Sequence, residues 1–247
     1  MKKIPFIIAV ALISTHAAAL DLNQIMQTGK DALSRPAAKT AVNGLTSAEI
    51  DGGLKEALGR GAETAVALLG KQDGFYGDKK LRIPLPNNMK KADKLMRAFG
   101  MGKQADELVL SMNRAAEAAV PEAKTLLVGA VKNMTLEDAR GVLTGGDQAA
   151  TVFFRNKTES SLGEKFLPIV KTATDKVGLA QTYNKYAGLA SKFDLVKQDQ
   201  ATIENYVAHQ ALDRLYTVIG EQERAIRTNP AGYGSDLLKK VFGSVTK

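Results

Sequence analysis

The sequence predicts an all-α protein, folded as a multi-helix bundle or an irregular helical array. Apolar residues recur at three- and four-residue spacing along most of the 247-residue chain. Two segments, Thr46-Ser47-Ala48-Glu49 and Thr135-Leu136-Glu137-Asp138, have the spacing of helix-starting capping boxes. No run of residues has the apolar–polar alternation of a strand. Short connections between the helices favour antiparallel neighbours.

Residues 1–19 have the three-part layout of a secretory signal peptide. Lys2 and Lys3 give a basic start, 4–13 is an apolar run, and 17–19 are three alanines. The apolar run is shorter than the roughly 20 residues that a membrane-spanning helix needs. The alternative is an ordinary buried N-terminal helix. We expect cleavage near Ala19 and a soluble periplasmic chain, in which no later segment is a membrane span.

We expect residues 20–45 to be a partly ordered N-terminal segment and 46–247 to be a single all-helical domain. A first helix begins at the cap Thr46 and ends near Gly70. Its glycines, Gly53, Gly59 and Gly61, lower helix propensity. Close approach of a neighbouring helix is the use that we expect for them.

Residues 71–87 break the helical period and predict an extended loop rich in proline and glycine. Each proline of Ile83-Pro84-Leu85-Pro86 disfavours the helical conformation of the residue before it. Two interpretations fit this loop. It is a functional segment, as long ordered loops often are, or it is a connector whose Ile83 and Leu85 insert into the core.

The remaining elements follow from apolar spacing and punctuation. Pro121 starts a helix at its first position, where a missing N–H costs nothing. The segment 144–147 combines a helix stop with a new cap at Asp147, and Gly220 marks a bend. The predicted helices are 88–99, 103–119, 121–133, 135–143, a helix carrying Ala150 and Phe154, 158–177, 178–191, 202–219, 221–228 and one capped by Ser235, with a polar connector at 192–200.

The composition limits the chemistry of the chain. It has no cysteine, which excludes thiol nucleophiles, Cys-ligated zinc and iron–sulfur clusters. Loss of residues 1–19 leaves His209 as the one histidine, so a Ser-His-Asp triad has to use it. A lone histidine on an amphipathic helix is more often a surface residue. We expect neither a metal nor a cofactor.

The formal net charge is +8. Basic residues are scattered and mostly lie near acidic ones, which is typical of a solvated mixed-charge surface. A weak attraction to anionic membrane surfaces is the alternative. We expect no nucleic-acid partner, because an exported chain seldom meets one and the few aromatic residues form no base-stacking platform.

One polar constellation stands out from its alanine-rich surroundings. Asn113, Arg114 and Glu117 lie within one helical turn, and buried polar groups need partners. Two interpretations remain open. One is a pocket for a polar or anionic small molecule, since guanidinium groups bind carboxylate and phosphate in a bidentate manner; the other is a structural network that ties helices together. The candidate residues are Arg82, Asn113, Arg114, Glu117, Asp147, Thr151, Arg155 and Thr158.

Other polar residues indicate less. Gly145-Gly146 ahead of a helix could bind an anion, but a simple stop and restart explains it as well. Glu221, Glu223 and Arg224, near Arg227, have the pattern of a solvated helix face.

A series of short segments extends over nearly all of the expected mature chain. It comprises GLKEAL at 53–58, DGF at 73–75, RIPLP at 82–86, SMNRAAE at 111–117, MT at 134–135 with DA at 138–139, LTGGD at 143–147, AAT at 149–151, FR at 154–155 with KT at 157–158, and DLLKKVFG at 236–243. In these segments the chain resembles a family of bacterial exported proteins catalogued as domain of unknown function 4197. The resemblance implies a helical periplasmic protein and supplies no activity. Many such proteins look like lipoproteins, whereas this chain lacks the cysteine that carries the lipid.

We therefore expect a periplasmic binding or interaction protein, with a small polar or anionic ligand or an envelope protein as its partner. The alternative is a hydrolase or transferase that uses Glu117 or Asp147 as an acid or base. Such an enzyme needs the carboxylate in a concave pocket with a raised pKa. A structural envelope partner would instead show a large apolar surface.

Overall fold

A computed structural model describes residues 45–100, 102–191, 201–233 and 235–243. These residues form α-helices joined by turns and short 3-10 segments, and they contain no β-strand. The all-α prediction is therefore confirmed. The predicted signal peptide, residues 20–44 of the N-terminal segment and the whole connector 192–200 lie outside the described residues. Among the described helices, none is long and apolar enough to cross a membrane.

The helices are numbered here in chain order. They are α1 (Ser47–Leu69), α2 (Lys90–Ala98), α3 (Gly102–Ala119), α4 (Ala123–Lys132), α5 (Leu136–Thr144), α6 (Ala149–Thr174), α7 (Gly178–Ser191), α8 (Ile203–Thr228) and α9 (Asp236–Gly243).

Two capping boxes start helices α1 and α5, as predicted. The Thr46 hydroxyl accepts from the N–H of Glu49 at 3.2 Å, and the Glu49 carboxylate accepts from the N–H of Thr46 at 2.9 Å. Thr135 and Asp138 make the same pair of bonds at 3.0 and 3.1 Å. The backbone N–H of each threonine lowers the pKa of its carboxyl partner, Glu49 or Asp138.

Helices α6 and α8, each 26 residues long, pack along one another and form the centre of the described fold. Helix α3 packs on α6, and α1 packs on α8. Their shared core includes the fully buried side chains of Phe154, Phe166, Tyr216 and Leu108. The core is therefore formed by helices that are distant from one another in the sequence.

One predicted helix boundary is wrong. The sequence predicts a break before residue 158, but α6 is continuous from Ala149 to Thr174, because no residue between 150 and 158 interrupts the helix. Helix α8 continues through Gly220, the position of the predicted bend, to Thr228. Gly220 instead makes room for α6, since a Cβ at this position would lie 3.1 Å from the Thr151 hydroxyl.

Close helix approach explains one of the three α1 glycines in full. A Cβ on Gly53 would lie 2.7 Å from Val241 Cγ2 of α9, so only glycine fits without a shift. Gly61 makes ordinary contacts, 3.6 Å from the Cβ of Gln222. Gly59 faces open space, so the prediction of close approach is wrong there.

Candidate functional site

The loop 71–87 is irregular, as predicted, and it lies against α3 through Asn113. The side-chain oxygen of Asn113 accepts a hydrogen bond from the backbone N–H of Ile83 at 2.8 Å. Its side-chain NH2 group donates to Ile83 O at 2.9 Å and to Val109 O at 2.7 Å. One side chain thereby satisfies both backbone groups of Ile83, which allows the Ile83 side chain to be fully buried. Leu85 is buried as well, as the connector interpretation predicts.

Glu117 binds the first half of the same loop. One carboxylate oxygen accepts from the backbone N–H groups of Phe75 and Tyr76, each at 3.1 Å. The other oxygen accepts from Arg114 at 2.6 Å, and Arg114 also donates to Asp73 at 2.7 Å. Bonds to Glu117 and Asp73 raise the pKa of Arg114. We call Asn113, Arg114 and Glu117, with the loop groups that they bind, the loop clamp.

Arg82 belongs to the packing of this loop. Its Nε donates to Tyr76 O at 2.7 Å, and its guanidinium carbon lies 4.4 Å from the centre of the Tyr76 ring. Two residues of α8 bind the loop from the other side. Tyr206 donates to Pro84 O at 3.0 Å, and Arg214 donates to Arg82 O at 3.3 Å.

Neither carboxylate of the predicted acid–base alternative lies in a suitable setting. Both oxygens of Glu117 are hydrogen-bonded within the clamp. Asp147 is exposed in the turn before α6. It is also not the cap of that helix, because the cap position is Gln148 and makes no side-chain cap bond. The geometry therefore gives no support to an enzyme that uses these two residues.

A buried carboxylate from α8 takes the place of the predicted cap. Glu223 accepts from the N–H groups of Ala150 at 2.9 Å and Thr151 at 3.0 Å, and from the Thr151 hydroxyl at 3.0 Å. A negative charge at a helix N-terminus is favourable. Arg227 donates to Glu223 at 2.8 Å and to Val142 O, near the end of α5, at 2.7 Å.

The prediction of a solvated face is wrong for this pair. The side chains of Glu223 and Arg227 are only 5% and 15% exposed. Helix ends leave backbone groups without partners, and a buried end must find them in side chains. Glu223 supplies acceptors to α6 and Arg227 supplies donors to α5, so the pair joins three helices.

Beside this pair lies an open groove of about 330 Å³ between α6 and α8. Arg155 is held there by Glu159 at 2.7 Å and by Asp213 at 3.1 Å. Its guanidinium carbon lies 4.6 Å from the centre of the Tyr216 ring. The groove is lined by Gln148, Thr151, Val152, Arg155, Tyr216, Thr217, Gly220, Glu221 and Arg224.

Arg224 differs from Arg155, the other arginine of the groove, in its contacts. It is exposed, and its guanidinium has no hydrogen bond or ion pair within the described residues. Thr158, by contrast, is buried beneath the groove, where its hydroxyl lies 2.9 Å from that of Tyr216 and donates to Phe154 O. Burial raises the pKa of Tyr216 to about 12.

His209 lies in a second groove between the same helices, of about 360 Å³, whose lining includes Ser160. The His209 Nδ1 atom is 3.2 Å from Asp213. Within the described part of the chain, Ser160 makes no hydrogen bond to His209. The nucleophile–base contact of a serine triad is therefore not formed.

A family model described as "Protein of unknown function (DUF4197)" matches residues 44–243. The chain belongs to this family. No curated protein and no solved structure matches it.

Three of the segments that carry the family resemblance, at 73–75, 82–86 and 111–117, supply both sides of the loop clamp. Two further segments, at 149–151 and 154–155, supply Thr151 and Arg155 to the α6 wall of the groove. The α8 wall was not part of that constellation. Gly220 and the four-residue spacing of Glu223 and Arg227 are the signals that could have identified it.

The eight predicted residues thus fall into two groups. One group binds the loop 71–87 and consists of Arg82, Asn113, Arg114 and Glu117. The other group contacts α8 and consists of Thr151, Arg155 and Thr158. Asp147, four positions before Thr151, is exposed. No hydrogen bond, ion pair or ring contact joins the two groups within the described structure.

Proposed function

We propose that this DUF4197 member is a periplasmic binding protein whose ligand is a small molecule with one carboxylate or phosphate group, bound in the groove between α6 and α8. The observation that carries the proposal is Arg224, a guanidinium without an internal partner in the same groove as Arg155. Guanidinium groups bind planar anions through two parallel hydrogen bonds.

The geometry of the groove supports such a ligand. Its volume of about 330 Å³ lies within the range of small-molecule sites, roughly 300–1,000 Å³. Arg155 is oriented by Glu159, Asp213 and the Tyr216 ring, so it loses little freedom when it binds. The Arg155 guanidinium has N–H groups besides those bound to Glu159 and Asp213, and these can donate to a ligand.

The acidic side chain of Glu221 narrows the class of ligand. It lines the same groove as the two arginines, so it opposes a second negative charge there. Gln148, Thr151 and Thr217 can form hydrogen bonds with a polar group. A ligand with one anionic group, with or without a cationic group, therefore fits the groove better than a ligand with several anionic groups.

Export to the periplasm is part of the proposal, and the layout of residues 1–19 supports it. Intact-mass measurement of the chain from a periplasmic extract tests this part. We expect a chain that begins at Leu20. A full-length chain recovered from the cytoplasm would contradict export.

Native mass spectrometry of the protein from the periplasm tests the site. We expect the wild-type chain to carry a small molecule, and Arg224→Gln to lose it. Lys132→Gln is the matched control, because it removes the same charge from an exposed residue of α4 outside the groove. Retention of the same mass by Arg224→Gln would contradict the proposed site.

Thermal unfolding in inorganic phosphate and in acetate gives a second measurement. A ligand that binds the folded state alone raises the melting temperature as its concentration rises. We expect such a rise for the wild-type chain and for Lys132→Gln, and a smaller rise for Arg224→Gln. Equal shifts for all three would place the anion elsewhere.

A further inference from the structure

Helix α2 and the turn after it carry the most exposed large apolar side chains described. Leu95 is 61% exposed and Phe99 is 76% exposed. They are four residues apart, so they lie on the same face of the helix. We call α2 together with Phe99 the α2 tip.

The α2 tip is also basic. Lys90, Lys91 and Lys94 are exposed, and none has an ion-pair partner in the part of the chain that the structure describes. Lys90 and Lys91 lie in the first turn of the helix, where a positive charge opposes the helix dipole and lowers stability. Helix stability therefore does not explain these lysines.

The tip is joined to the rest of the fold by an ion pair and a buried side chain. Arg97 forms ion pairs with Asp93 at 2.9 Å and with Asp106 of α3 at 2.6 Å, so its own charge is compensated. Met89 is buried at the start of the helix, and Gly100, at a φ of 78°, makes the turn after it. The exposed apolar pair and the lysines are thus presented together on an anchored element.

We propose that the α2 tip docks the protein on an anionic phospholipid surface. A basic helix with exposed Leu and Phe lies in the headgroup region, where the apolar side chains are buried and the lysines meet lipid phosphates. The unpaired lysines give the charge complementarity. Two apolar side chains are too few for a stable protein interface, which usually buries more than about 1,000 Å².

The absence of cysteine from the chain allows a test that reports on this tip alone. Ala98→Cys, labelled with a polarity-sensitive dye, places a probe on an exposed position beside Phe99 and keeps both apolar side chains. Asn156→Cys, at an exposed position of α6, is the matched control. The full chain is mixed with vesicles of phosphatidylethanolamine and phosphatidylglycerol, or of phosphatidylcholine.

We expect a blue shift of the dye at position 98 with the anionic vesicles, and none with phosphatidylcholine or at position 156. Salt should weaken the binding, because surface charges are screened. Replacing Lys90, Lys91 and Lys94 with Gln should lower the apparent affinity about fivefold for each lysine.

The apolar pair is tested in the Ala98→Cys background. Leu95→Ser with Phe99→Ser should abolish the shift, whereas Leu136→Ser, which changes an exposed leucine of α5, should leave it intact. Circular dichroism identifies any variant that fails to fold. The proposal is overturned if the shift is missing, is equal at position 156, is equal with phosphatidylcholine or survives the double substitution. A shift that grows with protein concentration without vesicles would show a second copy as the partner instead.

Discussion

The loop clamp and the α6 side of the α6/α8 groove both contain polar residues at helical spacing. They differ in whether their polar atoms have hydrogen-bond partners within the fold. In the clamp, the Asn113 amide and both oxygens of Glu117 are bonded within the fold. In the groove, Arg224 has no partner in the described residues. The polar residues among the alanines of α3 are therefore bonded within the fold, whereas Arg224 keeps its N–H donors exposed to solvent.

Burial explains the difference in physical terms. A buried donor or acceptor that loses its partner costs about 1–3 kcal/mol, so the clamp must complete its own bonds. An exposed guanidinium is solvated and needs no protein partner. It can exchange water for a ligand, which a saturated buried group cannot do without breaking the fold.

The largest expected effect tests the structural role of the clamp. Glu117→Ala removes the acceptor of the Phe75 and Tyr76 N–H groups and leaves Arg114 with one acidic partner. We expect a loss of about 3 kcal/mol in the free energy of unfolding. Urea denaturation measures it. Glu63→Ala, which breaks an exposed pair with Lys124, is the control, and an equal loss in both variants would remove the distinction.

The next effect concerns the second half of the clamp. Asn113→Ala leaves both backbone groups of the buried Ile83 without their partner. We expect a loss of about 2 kcal/mol in the free energy of unfolding, measured in the same way. Asn156→Ala changes an exposed asparagine and should have almost no effect. Loss of the groove ligand with unchanged stability would instead make Asn113 a binding residue.

Local sequence signals predict much of this fold and little of its long-range bonding. Both capping boxes and the break at 71–87 depend on residues within a few positions of one another, and the structure contains them. The bond between Asn113 and Ile83 joins residues 30 positions apart, and that between Glu223 and Ala150 joins residues 73 apart. Spacing along one helix carries no information about such partners. The alanine-rich surroundings of Glu117 predicted that this residue needs a partner, whereas no such signal marked Glu223.

The third prediction, with a smaller expected loss of stability, concerns Tyr216, which lies between the core and the groove. Tyr216→Phe removes the bond to Thr158 and should lower the free energy of unfolding by about 1 kcal/mol. The folded pKa of Tyr216, about 12, lies above its ordinary value of 10.0. Its contribution to stability is therefore complete below the ordinary pKa and is lost as the pH rises through about 12.

Ultraviolet absorbance of tyrosinate during an alkaline titration measures this prediction. The wild-type chain should contain a tyrosine that titrates at about pH 12, and Tyr216→Phe should lack it. Titration of Tyr216 at its ordinary pKa would mean that the floor of the groove is open to water.

The smallest expected change in stability occurs at Arg224, next to one of the most connected residues of the protein. Arg224→Gln alters an exposed side chain and should change the free energy of unfolding by no more than about 0.5 kcal/mol. Glu223→Gln, one position earlier, weakens a carboxylate that binds α6 and Arg227, and should cost about 2 kcal/mol. Urea denaturation of the two variants compares structure with binding at adjacent positions. If the Arg224 variant is destabilised as much as the Glu223 variant, Arg224 stabilises the packing of the helices and is not available to bind a ligand in the groove.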